Sequence, residues 1–451
     1  MLTQLLAIAR NALIESVRQP IFFILIMVSG VAQVFNNLLS TYSMGYSDSS
    51  EVSGDEKLFL DIGLSTILIA LTLLAAFIAT AVLSREIEQK TALTVVSKPV
   101  ARPLFVIGKY LGVSAAMAIA TGLMLLFFLL SLQHGVMSRA MDEVDQPVLV
   151  FGLGAVALSM GVALWGNYFY GWMFTSSATL IMLPLVFLAW VITLFMGPDW
   201  RFQGFMGDLR PQILLASVAV GISMLVLTAV AVCCSTRLGQ VMTIVVCLGV
   251  FLFGLLSNHL VGRRAFVNDP IERIASAEAV VDENGDLSGA GDTWRITLGG
   301  DPRVDLTPGD SFFFASDPSG VDLVVPRHRR FAGDLSRPES LRSPESGPAL
   351  VVTAVEDGSR TVTIVNAGGL AVRRVPVEGD YAFRSMERGS VIARLVWSVT
   401  PNMQFFWLVD AVTQTHAIPP SYLGKLALYS LSQITALLSI GVILFQKREV
   451  G

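Results

Sequence analysis

Between two long apolar runs, at about 60–83 and 108–132, stands a polar stretch in which eight residues could act on another molecule: Glu86, Glu88, Thr91, Lys98, Pro99, Arg102, Gly108 and Lys109. Their types do not suit bond-making chemistry; they suit docking. A carboxylate in a hydrocarbon core costs on the order of 3 kcal/mol, so the chain must have left the apolar phase by Glu86 and Glu88. Thr91 can accept from the free amides of a short helix at 92–97. Pro99 ends that helix, and Pro103 suits the first turn of the next. Lys98 and Arg102 then project as surface charges. The result is a short helix lying across a membrane face and tied to both flanking apolar helices, so that a partner tilting it would move them together. On physics alone, an ordinary basic loop with snorkelling side chains explains the same residues equally well.

Other chemistries are poorly supplied. Gly108-Lys109 is followed by Tyr110 and Gly424-Lys425 by Leu426, so neither is a phosphate-binding loop. HExxH is absent, and the histidines (His134, His259, His328 and His416) are not spaced to share a metal on one helix. His328 sits among Arg327, Arg329 and Arg330, which disfavours a bound cation and reads as a solvated basic loop. Cys233, Cys234 and Cys247 all fall inside apolar runs and are expected to pack as small hydrophobes. No catalytic residue, no metal site and no nucleic-acid partner is expected.

The elements that hold the polar stretch follow from composition. The chain is 53% hydrophobic and 15% charged, against roughly 25% charged in soluble domains, and its mean hydropathy is +0.65. Apolar runs near the roughly 20 residues needed to cross a bilayer fall at about 20–41, 60–83, 108–132, 148–170, 173–197, 213–234, 238–257 and 421–445. The fold class is therefore an α-helical polytopic membrane bundle of about eight spans, or six plus re-entrant elements, with 148–197 as the extra pair. Tyr168, Tyr170 and Trp172 mark the turn of that pair as an interfacial aromatic belt. Residues 1–19 read as an amphipathic helix on the membrane surface, with no A-x-A-type cleavage site after it.

Orientation follows from Lys and Arg in the short flanking segments. With the N-terminus inside, Arg10, Arg18, Arg85, Lys90, Lys98, Arg102, Lys109, Arg237, Lys447 and Arg448 lie within, and Lys57, Arg139, Arg201 and Arg210 outside. Both termini are then cytoplasmic. Asp61 opens a span, either as a polar contact in a pathway or interface or as a helix-start residue favoured by the positive helix end. Asn167 is either a polar lining residue or one satisfied within its own turn.

From about 259 to 400 the composition changes. Turn signals recur at Asn284-Gly285, Gly299-Gly300-Asp301-Pro302, Pro308-Gly309-Asp310, Asp317-Pro318-Ser319-Gly320, Asp357-Gly358 and Gly368-Gly369. Between them lie β-favouring runs at 294–298, 311–315, 321–325, 350–355, 361–365 and 370–375, with a hairpin loop at 356–360. These predict a small inserted all-β domain of barrel or sandwich type, extracytoplasmic on the topology above, interrupted by a mobile loop at 327–348. The expected organisation is 1–19 interfacial helix, 20–258 bundle with a cytoplasmic coupling loop at 84–107, 259–400 β domain, and 401–451 pre-membrane segment, last span and cytoplasmic C-terminus.

The order Asp61-Ile-Gly-Leu-Ser, Arg85-Glu-Ile-Glu, Thr91, Ser97-Lys-Pro, Arg102 and Gly108-Lys-Tyr-Leu-Gly resembles the permease subunits of ABC exporters. These are the ABC-2-type permeases, and more narrowly the group associated with multi-copper-enzyme maturation. Pro401-Asn402, Phe405, Asp410-Ala-Val, Tyr422-Leu and Phe445-Gln-Lys-Arg-Glu resemble the same family around its last span. The resemblance implies a transport subunit that is not itself an enzyme, sited in the cytoplasmic (inner) membrane of a prokaryote. It implies ATP hydrolysed by a separate cytoplasmic ABC ATPase docked on residues 91–102, no directly bound cofactor, and a homodimer or paired permease among lipid. The inserted domain would then face an extracytoplasmic partner. The rival reading is a non-transporting membrane anchor or assembly protein that presents the β domain.

Overall fold

A computed structural model of the chain describes residues 1–40, 51–84, 101–135, 144–204, 209–265, 268–281, 285, 287–318, 323–356, 360–385, 390–413 and 418–446. It divides into a helical unit, 1–255 with 401–451, and a second unit, 256–400.

The helical unit begins with α1 (Leu2–Arg18) and α2 (Pro20–Ser40), followed by α3 (Glu51–Ala79), which runs on as a π-helical turn, Thr80–Ser84. Then come α4 (Arg102–His134), α5 (Gln146–Tyr170), α6 (Phe174–Leu194), α7 (Pro211–Ser235) and α8 (Gln240–Ser257), continued by a second π turn, Asn258–Gly262. Among the described residues eight helices are long and apolar enough to cross a membrane: α2 to α8 and the last helix, α12 (Pro420–Gln446). The extra pair consists of two full-length helices, so among the described residues the eight-span reading holds over six spans with a re-entrant element. Local chemistry sets several ends. Asp145 accepts from the Val148 amide at 3.0 Å ahead of α5, proline occupies the first turn of α4, α5 and α7, and α4 and α5 stop at Gly135 and Gly171, both at positive φ.

Helices α3, α4 and α7 carry most of the buried core, while α2, α5, α8 and α12 leave most of their apolar surface open, as lipid-facing helices do. The α2–α3–α4 contact is laced with polar groups. Gln33 Nε2 donates to Gly63 O at 3.0 Å, Asn36 Nδ2 to Phe59 O at 2.9 Å, and Ser131 Oγ to Gln33 O at 2.8 Å. Such bonds hold membrane helices together where no hydrophobic effect drives their association.

The α5–α6 turn closes on itself. Asn167 is exposed and donates through Nδ2 to Trp172 O, so its amide is satisfied within its own turn. Trp172 lies on Gly166, where a Cβ would fall inside the ring. Gly166→Ala is therefore expected to displace Trp172 and cost about 1 kcal/mol. The displacement would be read as a shift in tryptophan emission, with thermal stability as the second readout.

The segment ahead of the last span does not lie outside the bundle core. A 3-10 turn, Met403–Phe406, precedes a short helix, α11 (Val409–Thr413), and Met403, Phe406 and Val409 join the same buried core as α3 and α7. Tyr429 Oη accepts from the Asn402 amide at 2.8 Å, and Tyr422 Oη donates to Phe405 O at 2.9 Å. The apolar character of the segment accounts for the burial.

The second unit holds a six-stranded antiparallel sheet: β1 (Pro270–Val281), β2 (Thr293–Leu298), β3 (Phe313–Ala315), β4 (Ala349–Glu356), β5 (Thr361–Ala367) and β6 (Tyr381–Phe383), in the order β3-β6-β1-β2-β5-β4. The sheet closes into a barrel because β4 pairs with the residues just before β3. Ser311 bridges Val351, the Phe312 amide donates to Leu350 O at 3.0 Å, and the Val352 amide donates to Asp310 O at 2.9 Å. Closure removes the exposed edges that an open sheet would carry. The barrel interior is filled by Ile274, Trp294, Ile296, Phe312, Phe314, Val352, Ile364 and Phe383, among others.

The barrel is built twice over. Gly309-Asp310 and Gly379-Asp380 turn at φ +94 and +96. In each turn the aspartate accepts from the amide three residues back: Thr307 at 3.0 Å and Val377 at 3.1 Å. Each turn also pairs with a first strand, Val352 with Asp310 O and Ile274 with Asp380 O. Both aspartates are buried. Desolvation pushes the Asp310 pKa up, but hydrogen bonds from Thr307 and Arg384 outweigh it and leave the carboxyl below its ordinary value. Arg374 holds Asp380 with two bonds, at 2.6 and 2.8 Å.

Three expectations need correction. Residues 370–375 form no strand, because Asn366 turns the chain inward there: its amide bonds Leu287 O and Leu370 O at 2.7 and 2.8 Å, and its oxygen accepts from the Leu370 amide. Of 321–325, the described part is no strand either, and only the Val324 amide pairs, with Phe314 O. The stretch at 327–348 is not a free loop. It carries a short helix, α9 (Pro338–Arg342), and packs Phe331, Leu335 and Leu341 over Ala349, Val351 and Ala367.

His328 is likewise not a solvated basic residue. It is buried, stacks on Phe313 at 4.6 Å, and has Nδ1 3.0 Å from Arg329 O. Burial holds its pKa below the ordinary value of 6.5. The unfolded chain therefore binds a proton below pH 6.5 that the folded barrel refuses, so stability is complete above pH 6.5 and falls as the pH drops toward the lowered native value. His328→Phe is expected to flatten this acid-side slope, measured as amide exchange of β3 and β6 in the full chain against pH.

Candidate coupling site at the Arg102 end of the bundle

Five of the eight sequence-predicted coupling residues, Glu86, Glu88, Thr91, Lys98 and Pro99, lie outside the described residues, as does the short helix expected at 92–97. What is described is how both ends of that stretch are fastened. On one side α3 ends in its π turn, where Thr80 Oγ1 donates to Ala76 O at 2.8 Å. π turns of this kind are common at functional sites. On the other side α4 begins at Arg102.

Arg102 Nη1 donates to Gln446 O at 2.9 Å, and Arg237, just past α7, donates through Nε to Leu444 O at 2.9 Å. The last carbonyls of a helix have no partner within it and carry its negative end. Two guanidinium groups from two other helices thus cap α12. Below them Phe105 stacks on Phe445 at 5.6 Å, and Gly441 allows α12 to approach Cys233, whose Cα would lie 3.3 Å from a Cβ there. The start of α4 and the ends of α7 and α12 are braced as one body.

Gly108 and Lys109 form a second brace, with α1. A Cβ on Gly108 would meet Ile8 Cγ2 at 2.8 Å, and one on Gly112 would run into the Ala9 carbonyl and the Ala12 methyl. Gly108 and Gly112, one turn apart, make the shallow groove by which membrane helices approach backbone to backbone. Ala12, Ser16 and Val17 of α1 are buried there, while Leu2 and Leu6 stay exposed. α1 is thus more than a helix on a membrane surface, since one of its faces is docked into the bundle. Lys109 is not a displayed surface charge: its side chain is 3% exposed and pairs with Glu15 Oε2 at 3.5 Å, with Nζ 5.8 Å from the Phe105 ring. From sequence, Arg237 counted only as an inner-side charge and Phe445 only as part of the terminal motif, and neither Glu15 nor Phe105 was assigned to the site. The Gly108-x-x-x-Gly112 spacing facing Ala9 and Ala12 was the signal that could have found this contact.

Asp61 is half-buried in the third turn of α3, ten residues past its start at Glu51. The helix-start reading fails for that reason. Asp61 lies between Phe59 and Gly63, whose carbonyls accept from Asn36 and Gln33. Cys233 and Cys247 are buried and Cys234 half-buried, none in a disulfide. Among the described residues no group of three or more His, Cys, Asp or Glu could hold a metal ion.

Residues 6–165, from α1 through most of α5, match the family model described as ABC-2 family transporter protein. The match is a likeness over that part of the chain, and with the eight apolar helices among the described residues it supports a multi-pass membrane protein. No curated protein and no solved structure matches the chain.

Proposed function

We propose that the chain is the membrane subunit of an ATP-driven exporter, energised by a separate cytoplasmic ATPase that docks on residues 91–102. The observation carrying this reading is the double brace around that stretch. α4 is locked to α12 through Arg102 and Phe105, and to α1 through Gly112 and the Lys109–Glu15 pair. A push on the loop would be delivered to α3, α4, α1 and α12 together, as alternating access requires. In this reading Glu86, Glu88, Thr91, Lys98 and Pro99 face the ATPase, Arg102 ties the end of the loop to α12, and Gly108 and Lys109 transmit through α1. Two such permeases work as a pair, with both termini cytoplasmic and the barrel on the opposite side of the membrane, to which seven spans deliver the chain.

The test is co-purification from native membranes, with residues 91–102 either intact or replaced by a Gly/Ser linker. Capture of a nucleotide-binding ATPase by the intact chain and its loss with the linker supports the proposal. If no ATPase is captured by either form, the protein is an anchor for its barrel and not a permease.

A further inference from the structure

The second unit contains one helix that its own packing leaves unexplained. Helix α10, Val391–Val399, is capped by Ser390 and has no buried residue. Val391, Ile392, Leu395, Val396 and Val399 form one apolar stripe along it, at relative exposures of 71, 74, 61, 45 and 72%. A stripe at this spacing is the face by which an amphipathic helix is buried. Among the described residues of the unit nothing buries it.

The opposite side of α10 is held firmly. Trp397 Nε1 donates to Asn258 Oδ1 at 2.9 Å, Arg394 Nε donates to Ala265 O at 2.9 Å, and the Ser390 amide donates to Arg264 O at 3.2 Å. All three partners lie in the last turn of the span formed by α8 and its π turn, which ends at Gly262, or within three residues after it. The helix is thereby fixed at the depth where a membrane span ends. On that same span end Leu256 and Leu260 are also open, at 51 and 46%. Exposed Arg264 lies beside the site, and Arg394 stands on the helix itself. Apolar residues on one face, with arginine and tryptophan at the level of a span's end, make the pattern of a helix lying in the headgroup region.

We infer that α10 is a lipid-surface helix. Its Val391–Val399 stripe is buried at the boundary between headgroups and acyl chains, in the leaflet where α8 ends, with Arg264 and Arg394 at the phosphates. It seats the base of the barrel on the bilayer. This rests on the membrane reading of α8 and does not depend on whether the protein transports anything.

The experiment is spin labelling of the full chain in bilayers of phosphatidylethanolamine and phosphatidylglycerol. Single variants I392C, L395C and V399C are compared with E339C on the barrel's covering segment, and the background from the native cysteines is taken from the unsubstituted chain. The expected result is high accessibility to oxygen and low accessibility to a nickel chelate at 392, 395 and 399, with the reverse at 339. Equal nickel accessibility at all four sites would show that the stripe lies in water and overturn the inference. So would exclusion of both reagents together with dipolar broadening between labels, which would mean that a second copy of the chain covers the stripe.

Discussion

Gly112→Val is expected to detach α1 from the bundle. The added side chain would run into the Ala9 carbonyl and the Ala12 methyl. A backbone carbonyl within a helix cannot swing aside as a side-chain tip can, so the strain falls on the whole α1–α4 contact. Overpacking costs typically 1–3 kcal/mol, and this site belongs at about 3 kcal/mol because the obstacle is main chain. Thermal unfolding in detergent measures the loss, and accelerated amide exchange confined to α1 would show where it falls. Gly108→Ala should cost less, since its nearest obstacle is the Ile8 side chain, at 2.8 Å from Cγ2 and 3.0 Å from Cβ, a milder overlap than the one with main chain at Gly112. If both variants unfold like the native chain, the groove is not what holds α1.

The second large effect concerns Glu15 and Lys109. Removing one member of a fully buried ion pair costs about 3–5 kcal/mol because a charge is stranded. Glu15 is 31% exposed and Lys109 only 3%, so the two deletions should be unequal. Glu15→Gln withdraws the carboxylate from a deeply buried ammonium and should cost about 2 kcal/mol, discounted from the fully buried case for the water that reaches Glu15. Lys109→Met should cost less, since the carboxylate left behind can still be solvated. The double variant should then be about as stable as Lys109→Met alone. A double-mutant cycle on melting in detergent reads this coupling, and strict additivity would mean that the pair contributes nothing.

The helical unit was legible in the sequence because its signal is long and redundant. Each span is a run of apolar residues, and a few misplaced side chains do not disturb the pattern. The barrel was legible in kind but not in detail. β2, β4 and β5 are rich in Val, Ile and Thr, and could be read. β1 is Pro-Ile-Glu-Arg-Ile-Ala-Ser-Ala-Glu-Ala-Val-Val, a composition of Ala and Glu that local propensity assigns to a helix; only its pairing with β2 and β6 makes it a strand. β6 has three residues, too few to carry a period. At 370–375 an apolar run looked like a strand, but the Asn366 side chain takes the hydrogen bonds that a strand would have used. The repeated Gly-Asp turns were visible in the letters, yet their role in pairing each half of the barrel with the other needed the fold.

The site was half legible. Gly108, Lys109 and Arg102 stood out as loop residues beside a span. What they touch depends on two other helices, and no spacing within 84–109 could reveal Glu15, Gln446 or Leu444. Asp61 shows the reverse failure: the apolar run suggested a helix starting near 60, whereas α3 begins at Glu51 and the acid sits inside it.

The proposed function requires a nucleotide-binding subunit on the segment between α3 and α4. The most direct measurement is photo-crosslinking in native membranes, with the crosslinking amino acid placed at Thr91 and, in a separate chain, at Glu339 on the barrel's covering segment. The expected result is one nucleotide-binding ATPase captured from Thr91, identified by mass spectrometry of the adduct, and none from Glu339. Capture from Glu339, or no ATPase from Thr91 while the chain is folded and in the membrane, would contradict it.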